Sequence, residues 1–116
     1  MLVALLDLLD YQSRRVVLPE RIWRNKILVT HAEVAAYLEV EIPQAVTSPS
    51  FINHDKLFPD RYCHYVTLPM NRAGERRYLK VVIEYNRGAA PEDFEGTIIS
   101  VYRVGRVPAK EMRIWP

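Results

Sequence analysis

The spacing of apolar residues changes near the middle of the chain, and this change most constrains the fold. In the first half they recur at the three- and four-residue spacing of amphipathic helices. In the second half they alternate with polar residues, most clearly in residues 78–85, where Leu79, Val81 and Ile83 share one face of a strand. The later strands are joined by short loops, which favour antiparallel neighbours. The sequence therefore predicts an α+β fold, with N-terminal helices packed on one face of a C-terminal antiparallel sheet of about four strands.

The chain is expected to form a single domain over residues 1–116, because it has the length of one ordinary domain. Residues 1–13 are predicted to form an amphipathic helix that either caps the core or packs against another subunit in a homodimer. Residues 14–50 are predicted to be mainly a helical layer, and residues 51–116 the antiparallel sheet. The N-terminal helix is predicted from leucines at helical spacing, namely Leu2, Leu5, Leu6 and Leu9.

Local signals place the boundaries of these elements. Pro19 suits the first turn of a helix, where its missing N–H is not needed. Thr30 and Glu33 form a capping box, which predicts that a further helix begins at His31. Pro43 opens another short helical turn. The predicted strands are residues 14–18, 51–52, 62–68, 78–85, 96–104 and 112–115, with a hairpin loop at 71–75 and the longest loop at 86–95.

The charge is unevenly distributed along the chain. The formal net charge is only +2, but residues 1–60 carry six Lys and Arg against eight Asp and Glu, whereas residues 61–116 carry ten against six. A mildly basic second half is compatible with a polyanionic ligand, and it is equally compatible with solvated strand ends.

Several standard sites are excluded by the sequence. It has no glycine-rich loop for phosphate, no paired Cys and His spacing for zinc, and no Gly-x-Ser-x-Gly elbow. No cofactor or metal is therefore expected. Cys63 is the only cysteine, cannot form an intramolecular disulfide, and is expected to be buried, which fits a cytoplasmic protein. No segment reaches the roughly 20 apolar residues needed to cross a bilayer, so no membrane association is expected.

His31 is a candidate for acid–base chemistry. At the start of a helix, free backbone N–H groups and the helix dipole favour the neutral imidazole, which can act as a base. The competing interpretation is an ordinary, half-exposed histidine at a helix start.

Lys80 interrupts an otherwise apolar strand and is expected on the sheet face away from the helices. There it would meet side chains of the adjacent strand. Alternation allows either Ser100 with Tyr102 or Arg103 with Val101, but not both pairs. The alternative is that Lys80 only keeps an exposed face soluble.

Further arginines and tyrosines could bind nucleic acid. The arginines at strand ends and loops could contact a phosphate backbone. The tyrosines of the strands could stack on bases, although ordinary sheet packing also explains them. These residues are Arg61, Arg76, Arg77 and Arg87, and Tyr62, Tyr65, Tyr78 and Tyr102.

Four short segments follow one another along the chain, namely His31-Ala32-Glu33, Pro49-Ser50, Leu79-Lys80-Val81-Val82-Ile83 and Ser100-Val101-Tyr102. In this order they resemble the phage-associated nuclease-like proteins of the barnase–EndoU–colicin–RelE (BECR) class. That class typically shows a His-Pro-Glu helix start, a Pro-Asp step into the sheet, a Leu-Lys-Val-Val-Val strand and a Thr-Ala-Tyr strand. The resemblance covers roughly residues 14–115, and it departs from the class at Ala32, Ser50 and Ser100-Val101.

The resemblance implies a metal-independent ribonuclease, toxin-like or phage-derived, in which the ribose 2′-OH attacks the adjacent phosphate. It implies three catalytic residues: His31 as the base or acid, Lys80 as a cation for the phosphate, and Ser100 as a hydrogen-bond donor to it. The RNA-binding residues that it implies are Arg61, Tyr65, Tyr102 and Arg103.

The expected partners are RNA and, for a toxin-like protein, a protein inhibitor or antitoxin. A different class of function remains open, namely a catalytically inactive module of the same fold that binds RNA or a protein, either alone or as a dimer.

Overall fold

The computed structural model describes residues 3–86 and 95–116, and its central element is a seven-stranded mixed sheet. The strands are β1 (Ala4–Leu9), β2 (Arg15–Pro19), β3 (Phe51–Asp55), β4 (Arg61–Leu68), β5 (Arg77–Tyr85), β6 (Gly96–Val104) and β7 (Glu111–Trp115). Their order across the sheet is β1-β2-β6-β5-β4-β3-β7. The β2–β6 pair is parallel and the others are antiparallel. The expectation of helices on an antiparallel sheet of about four strands is therefore wrong.

The helices of the chain are short and lie between β2 and β3. They are α1 (Glu20–Ile22), a π-helical stretch (Trp23–Ile27), α2 (Leu28–Thr30), a 3-10 helix (Ala32–Tyr37) and α3 (Glu41–Thr47). We call residues 20–47 the helical layer. The predicted capping box does not form, because the Thr30 hydroxyl donates to the carbonyl of Lys26 at 3.0 Å and no side chain caps the 3-10 helix.

The N-terminal helix predicted for residues 1–13 is also wrong. Residues Ala4–Leu9 form β1, which pairs with β2 in an antiparallel hairpin. Asp10 closes this hairpin, because its carboxylate accepts hydrogen bonds from the backbone N–H groups of Gln12 and Arg14 at 2.8 and 2.9 Å. A dimer through a leucine-striped helix is thereby excluded, since Leu5, Leu6 and Leu9 lie on a strand.

The helical layer packs on one face of the sheet, which we call the helix face. Leu79, Val81 and Ile83 of β5 lie in its core with buried side chains of the helices, including Trp23 and Ile42. The alternation in β5 thus correctly identified the face that the helices cover. This apolar contact is the main hydrophobic core of the domain.

The opposite face, which we call the distal face, is partly covered by the chain itself. Between β6 and β7 the chain passes over β5 and β4 to reach β3, and Val107 packs on a small cluster around Phe51 and Tyr65. The crossing brings β7 to the edge of the sheet, where it pairs with β3.

The sheet curls so that its two ends approach each other. Tyr11, in the turn between β1 and β2, contacts Trp115 in β7 with ring centroids 5.3 Å apart. These strands lie at opposite ends of the strand order. Since strands twist and coil in one sense, a sheet of this length closes partway toward a barrel.

Candidate functional site

A cavity of about 210 Å³ lies on the distal face, beside β6. Side chains from the helical layer, from four neighbouring strands and from two loops meet in it. Its lining residues are Lys26, Asp55, Phe58, Arg61, Cys63, Lys80, Val82, Ile99, Ser100, Tyr102 and Lys110. Asp55 is the only carboxylate among them. Four of the residues predicted for the site, Arg61, Lys80, Ser100 and Tyr102, are therefore brought together.

The register of β6 against β5 determines which side chains of β6 face the cavity. Tyr102 opposes Lys80 and Ser100 opposes Val82, so Ser100 and Tyr102 share the distal face with Lys80. The pairing then shifts so that Ile83 opposes Ile98, which leaves Ile99 as the extra residue of a β-bulge. Of the two pairs that alternation allowed, the structure has Ser100 with Tyr102.

The cavity is also next to an open edge of β6. Parallel pairing with β2 covers only Gly96 and Thr97, so among the described residues the rest of β6 has no strand partner on that side. The π-helical stretch occupies this position, and its Lys26 lines the cavity. The short β2 thus lets the helical layer supply a side chain to the distal face.

Lys80 sits in a buried polar network. Its Nζ lies 2.5 Å from Oε2 of Glu111, and the two residues are 3% and 8% exposed. Burial favours the neutral amine, but the hydrogen bonds to Glu111 and Tyr102 outweigh it, so the pKa of Lys80 lies above its ordinary value. Glu111 neutralises much of this charge, which makes Lys80 a weaker ligand for phosphate than the sequence suggested.

Other buried groups complete this network. The other oxygen of Glu111 accepts hydrogen bonds from the Tyr65 hydroxyl and from Nδ2 of Asn53, the latter at 3.3 Å. Burial, assisted by Glu111, raises the pKa of Tyr65, so its hydroxyl stays protonated. Tyr65 itself is fully buried and stacks on Phe51 with centroids 4.6 Å apart. Its predicted role of stacking on an RNA base is therefore wrong.

The cations at the rim are more accessible than Lys80. Arg61 pairs with Glu84 at 3.1 Å, and Lys110 lies 3.8 Å from Asp55, both as partly exposed pairs. Lys26 has no ion-pair partner within residues 3–86 and 95–116. The Arg61 guanidinium also lies over the ring of Phe58, 4.1 Å from its centroid. Exposed pairs of this kind are weak, so an anionic ligand can compete for these cations.

His31 lies beside the cavity but does not line it. Its imidazole stacks on the Tyr102 ring, with centroids 5.1 Å apart and an interplanar angle of 23°. Its Nδ1 lies 3.6 Å from the carboxylate of Glu33. The side chain is 37% exposed, so solvent and a ligand can reach the ring. His31 follows α2 and precedes the 3-10 helix, and it belongs to the same surface region as Lys80 and Ser100.

Arg103 is not part of this cavity. It opposes Leu79 in the sheet, so its side chain leaves β6 on the other face. It lines a separate open cavity of about 300 Å³ with Arg76 and Arg77.

Three functional candidates escaped the sequence analysis, namely Lys26, Glu111 and Lys110. Lys26 lies on the exposed side of a predicted helix, which gives no hint that it reaches the distal face. Glu111 begins a short edge strand, and only the unexpected crossing of the chain places it against Lys80. The sequence signal that could have drawn attention to it is the isolated Lys80 in an apolar strand, since a buried lysine needs a carboxylate partner.

Cys63 lines the cavity as a buried thiol, as expected from its position in an apolar strand. Burial raises its pKa to about 12. The thiolate is therefore scarce at neutral pH, and Cys63 is not a suitable nucleophile.

No protein-family model matches the chain, and comparison with curated proteins and with solved structures gives no significant match. The resemblance to the BECR class accordingly stays a prediction from the segments quoted above. In the part of the chain that the structure describes, no helix is long and apolar enough to span a membrane. The same residues contain no group of three His, Cys, Asp or Glu side chains that could hold a metal ion.

Proposed function

We propose that the protein is a metal-independent ribonuclease that binds RNA at the cavity on the distal face. The observation that carries this proposal is the stack of His31 on Tyr102, because it places an exposed imidazole beside a cavity that Lys80 and Ser100 line. An acid–base group, a hydroxyl and several cations are the groups that 2′-OH attack on a phosphodiester requires.

In the proposed reaction His31 takes the proton from the ribose 2′-OH as that oxygen attacks the neighbouring phosphorus. The bond from phosphorus to the 5′-oxygen then breaks, the leaving oxygen takes a proton from water, and His31 returns its proton to solvent. The products are a 2′,3′-cyclic phosphate and a 5′-hydroxyl end. Lys26 and Lys110 offset the charge on the phosphate, and the Ser100 hydroxyl donates a hydrogen bond to it.

Exposed aromatic surface near the cavity suits single-stranded RNA. Phe58 is 45% exposed and lines the cavity, so a base can stack on it. Arg61 already lies over this ring and would contact the adjoining phosphate. Cations alternating with aromatic rings are the usual means of holding unpaired nucleotides without reading their sequence.

The test is incubation of labelled RNA with the purified protein in EDTA. The wild type should produce fragments with 2′,3′-cyclic phosphate ends, and His31→Ala should lose at least about 100-fold in rate, as expected on removal of a general base. Glu39→Ala is the matched control, since Glu39 is exposed in the same helical layer and lines neither of the two cavities described. Equal cleavage by His31→Ala, or no cleavage of any RNA by the wild type, would contradict the proposal.

A second candidate is an RNA-binding module of the same fold that does not cleave. The pairing of Lys80 with Glu111 favours this candidate, because Lys80 lies opposite Tyr102 in the sheet and its charge is already neutralised. The two candidates differ in one result. A binding module would shift the fluorescence anisotropy of labelled RNA, in a manner sensitive to Lys26→Gln, and leave the RNA intact.

A further inference from the structure

A cluster of arginines lies outside the proposed catalytic cavity, at the end of β6. The second cavity, of about 300 Å³, is lined by Asn71, Glu75, Arg76, Arg77, Arg103, Val104 and Gly105. We call Arg76, Arg77 and Arg103 the arginine patch. Among the described residues, no carboxylate forms an ion pair with any of the three. Guanidinium groups gathered in this way repel one another unless an anion joins them.

The backbone around the arginine patch is held in place. Asn71 Oδ1 accepts the N–H groups of Ala73 and Glu75, both at 3.0 Å, and Gly74 turns the hairpin with a φ of 77°. Arg77 donates from Nη2 to the carbonyl of Pro69 at 3.1 Å, so its guanidinium has a fixed orientation. Arg77 is therefore oriented before a ligand arrives, which lowers the cost of binding.

The position of the patch relates it to the proposed RNA site. Ser100 lines the first cavity on the distal face, whereas Arg103, about 10 Å further along β6 at roughly 3.4 Å per residue, leaves the strand on the other face. The second cavity is also lined by Val104, which shares the distal face with Tyr102. A single strand of nucleic acid that occupies the first cavity can thus reach the arginine patch around the end of β6.

We propose that the arginine patch is a second phosphate-binding site, which holds the backbone of the RNA strand beyond the nucleotide in the distal-face cavity. This inference rests on the proposed function and defines the substrate as a strand of several nucleotides. Arginine suits this role because its planar fork binds two phosphate oxygens at once. The patch contributes affinity without sequence preference, since it contacts only the backbone.

The test measures binding of 2′-O-methyl RNA by fluorescence anisotropy, because methylated 2′-oxygens cannot attack the phosphate and the ligand survives. Oligonucleotides of about 4 and about 12 residues span the range that single-strand sites commonly cover. The wild type should bind the longer one more tightly. The double variant Arg76→Gln/Arg103→Gln should lose this gain and bind the shorter one as the wild type does.

Salt dependence gives a second readout. The slope of log affinity against log salt concentration should fall by about 0.7 for each phosphate contact that the double variant loses. Arg21→Gln is the control for loss of charge alone, since Arg21 is exposed and lines neither of the two cavities. Thermal unfolding followed by circular dichroism establishes that each variant is folded.

The outcomes separate the two proposals. If the double variant retains both the length dependence and the slope of the wild type, the arginine patch is not a phosphate site, while the distal-face cavity can still bind RNA. If Lys26→Gln weakens binding of both oligonucleotides and the double variant weakens only the longer, both proposals are supported. If the wild type binds neither oligonucleotide, the RNA proposal and this inference are both wrong.

Discussion

The two faces of the sheet are built on different physical principles. The helix face is closed by apolar side chains from β5 and the helices, whereas the distal face buries Lys80, Glu111 and Asn53 beside a small aromatic cluster. Burying charge costs free energy even when the charges are paired, and apolar residues of similar volume often serve stability as well or better. The contrast indicates that the helix face maintains the fold, and that the distal face keeps its polar groups for binding and chemistry.

The largest effect on stability is expected from breaking the buried ion pair of Lys80 and Glu111. Glu111→Ala leaves the Lys80 ammonium group buried without its carboxylate, which should lower the free energy of unfolding by about 3–5 kcal/mol. The measurement is urea denaturation at neutral pH. The double variant Lys80→Met/Glu111→Leu should recover most of the loss, because it removes both charges and retains volume. If Glu111→Ala were as stable as the wild type, this would contradict a buried network in which Glu111 neutralises Lys80.

A substitution that creates a cavity in the core of the helix face should affect stability but not RNA binding. Ile42 is fully buried between α3 and the sheet, so Ile42→Ala should cost about 2–5 kcal/mol through lost contacts and an empty cavity. Below the unfolding temperature the variant should bind RNA as the wild type does. Weakened RNA binding by a variant that calorimetry shows to be fully folded would contradict the division of roles between the faces.

The helix face contains one buried histidine, which should make stability depend on pH. His64 is bonded through Nδ1 to the carbonyl of Ala45 at 2.8 Å, and its Nε2 has no partner within the described residues. Burial lowers the pKa of His64 from the ordinary value of 6.5 to about 4. As the pH falls from 6.5 toward 4, the His64 imidazole is therefore protonated in the unfolded chain but stays neutral in the folded protein.

The resulting stabilisation is complete above pH 6.5 and is lost as the pH falls toward 4. The full loss of stability is on the order of 3 kcal/mol, which follows from the difference between the ordinary His64 pKa of 6.5 and the folded value of about 4. Urea denaturation at a series of pH values should show this loss in the wild type and a flatter profile in His64→Gln. Identical profiles for the two proteins would contradict a buried, neutral imidazole.

The smallest change in stability is expected at the rim of the distal face. Arg61 and Glu84 form a partly exposed pair, so Arg61→Gln should change the free energy of unfolding by less than about 1 kcal/mol. It should nevertheless weaken RNA binding and reduce its salt dependence. A large loss of stability without a loss of binding would reverse the roles that we assign to the buried and the rim charges.

Much of the sheet could be predicted from the sequence. The predicted strands at 62–68, 78–85 and 96–104 correspond to β4, β5 and β6, because their alternation reflects one covered face and one polar face. The hairpin loop at 71–75 is also confirmed, since β4 and β5 pair across it. The long loop predicted at 86–95 falls largely outside the described residues.

The N-terminal strand could not be predicted, because leucines spaced for a helix are also compatible with a strand. In β1 the pairing with β2 and the turn closed by Asp10 determine the structure, and Leu8, which is off the helical stripe, also packs on the core. Tertiary contacts override a local pattern of this length. The parallel pairing of β2 with β6 has no local signature at all.

The candidate site was also predicted only in part, because the sequence shows local alternation but not long-range contacts. Lys80, Ser100 and Tyr102 lie on neighbouring strands, where alternation and strand register determine the face. Tyr65 is buried because the crossing of the chain to β7 brings Glu111 and Val107 against its cluster, and Arg103 lies outside the first cavity because it leaves β6 on the other face. Long-range topology of this kind leaves no trace in residue spacing.

The most direct test of the account is a nuclear magnetic resonance titration of isotope-labelled protein with 2′-O-methyl RNA. If the distal face binds the ligand, the backbone amide signals of Lys26, Ser100, Tyr102 and Lys110 should shift in a saturable manner. Those of Ile42 and Ala45, which lie in the core of the helix face, should stay unchanged. Shifts confined to the helical layer around α3, or none at all, would contradict the assignment of function to the distal face.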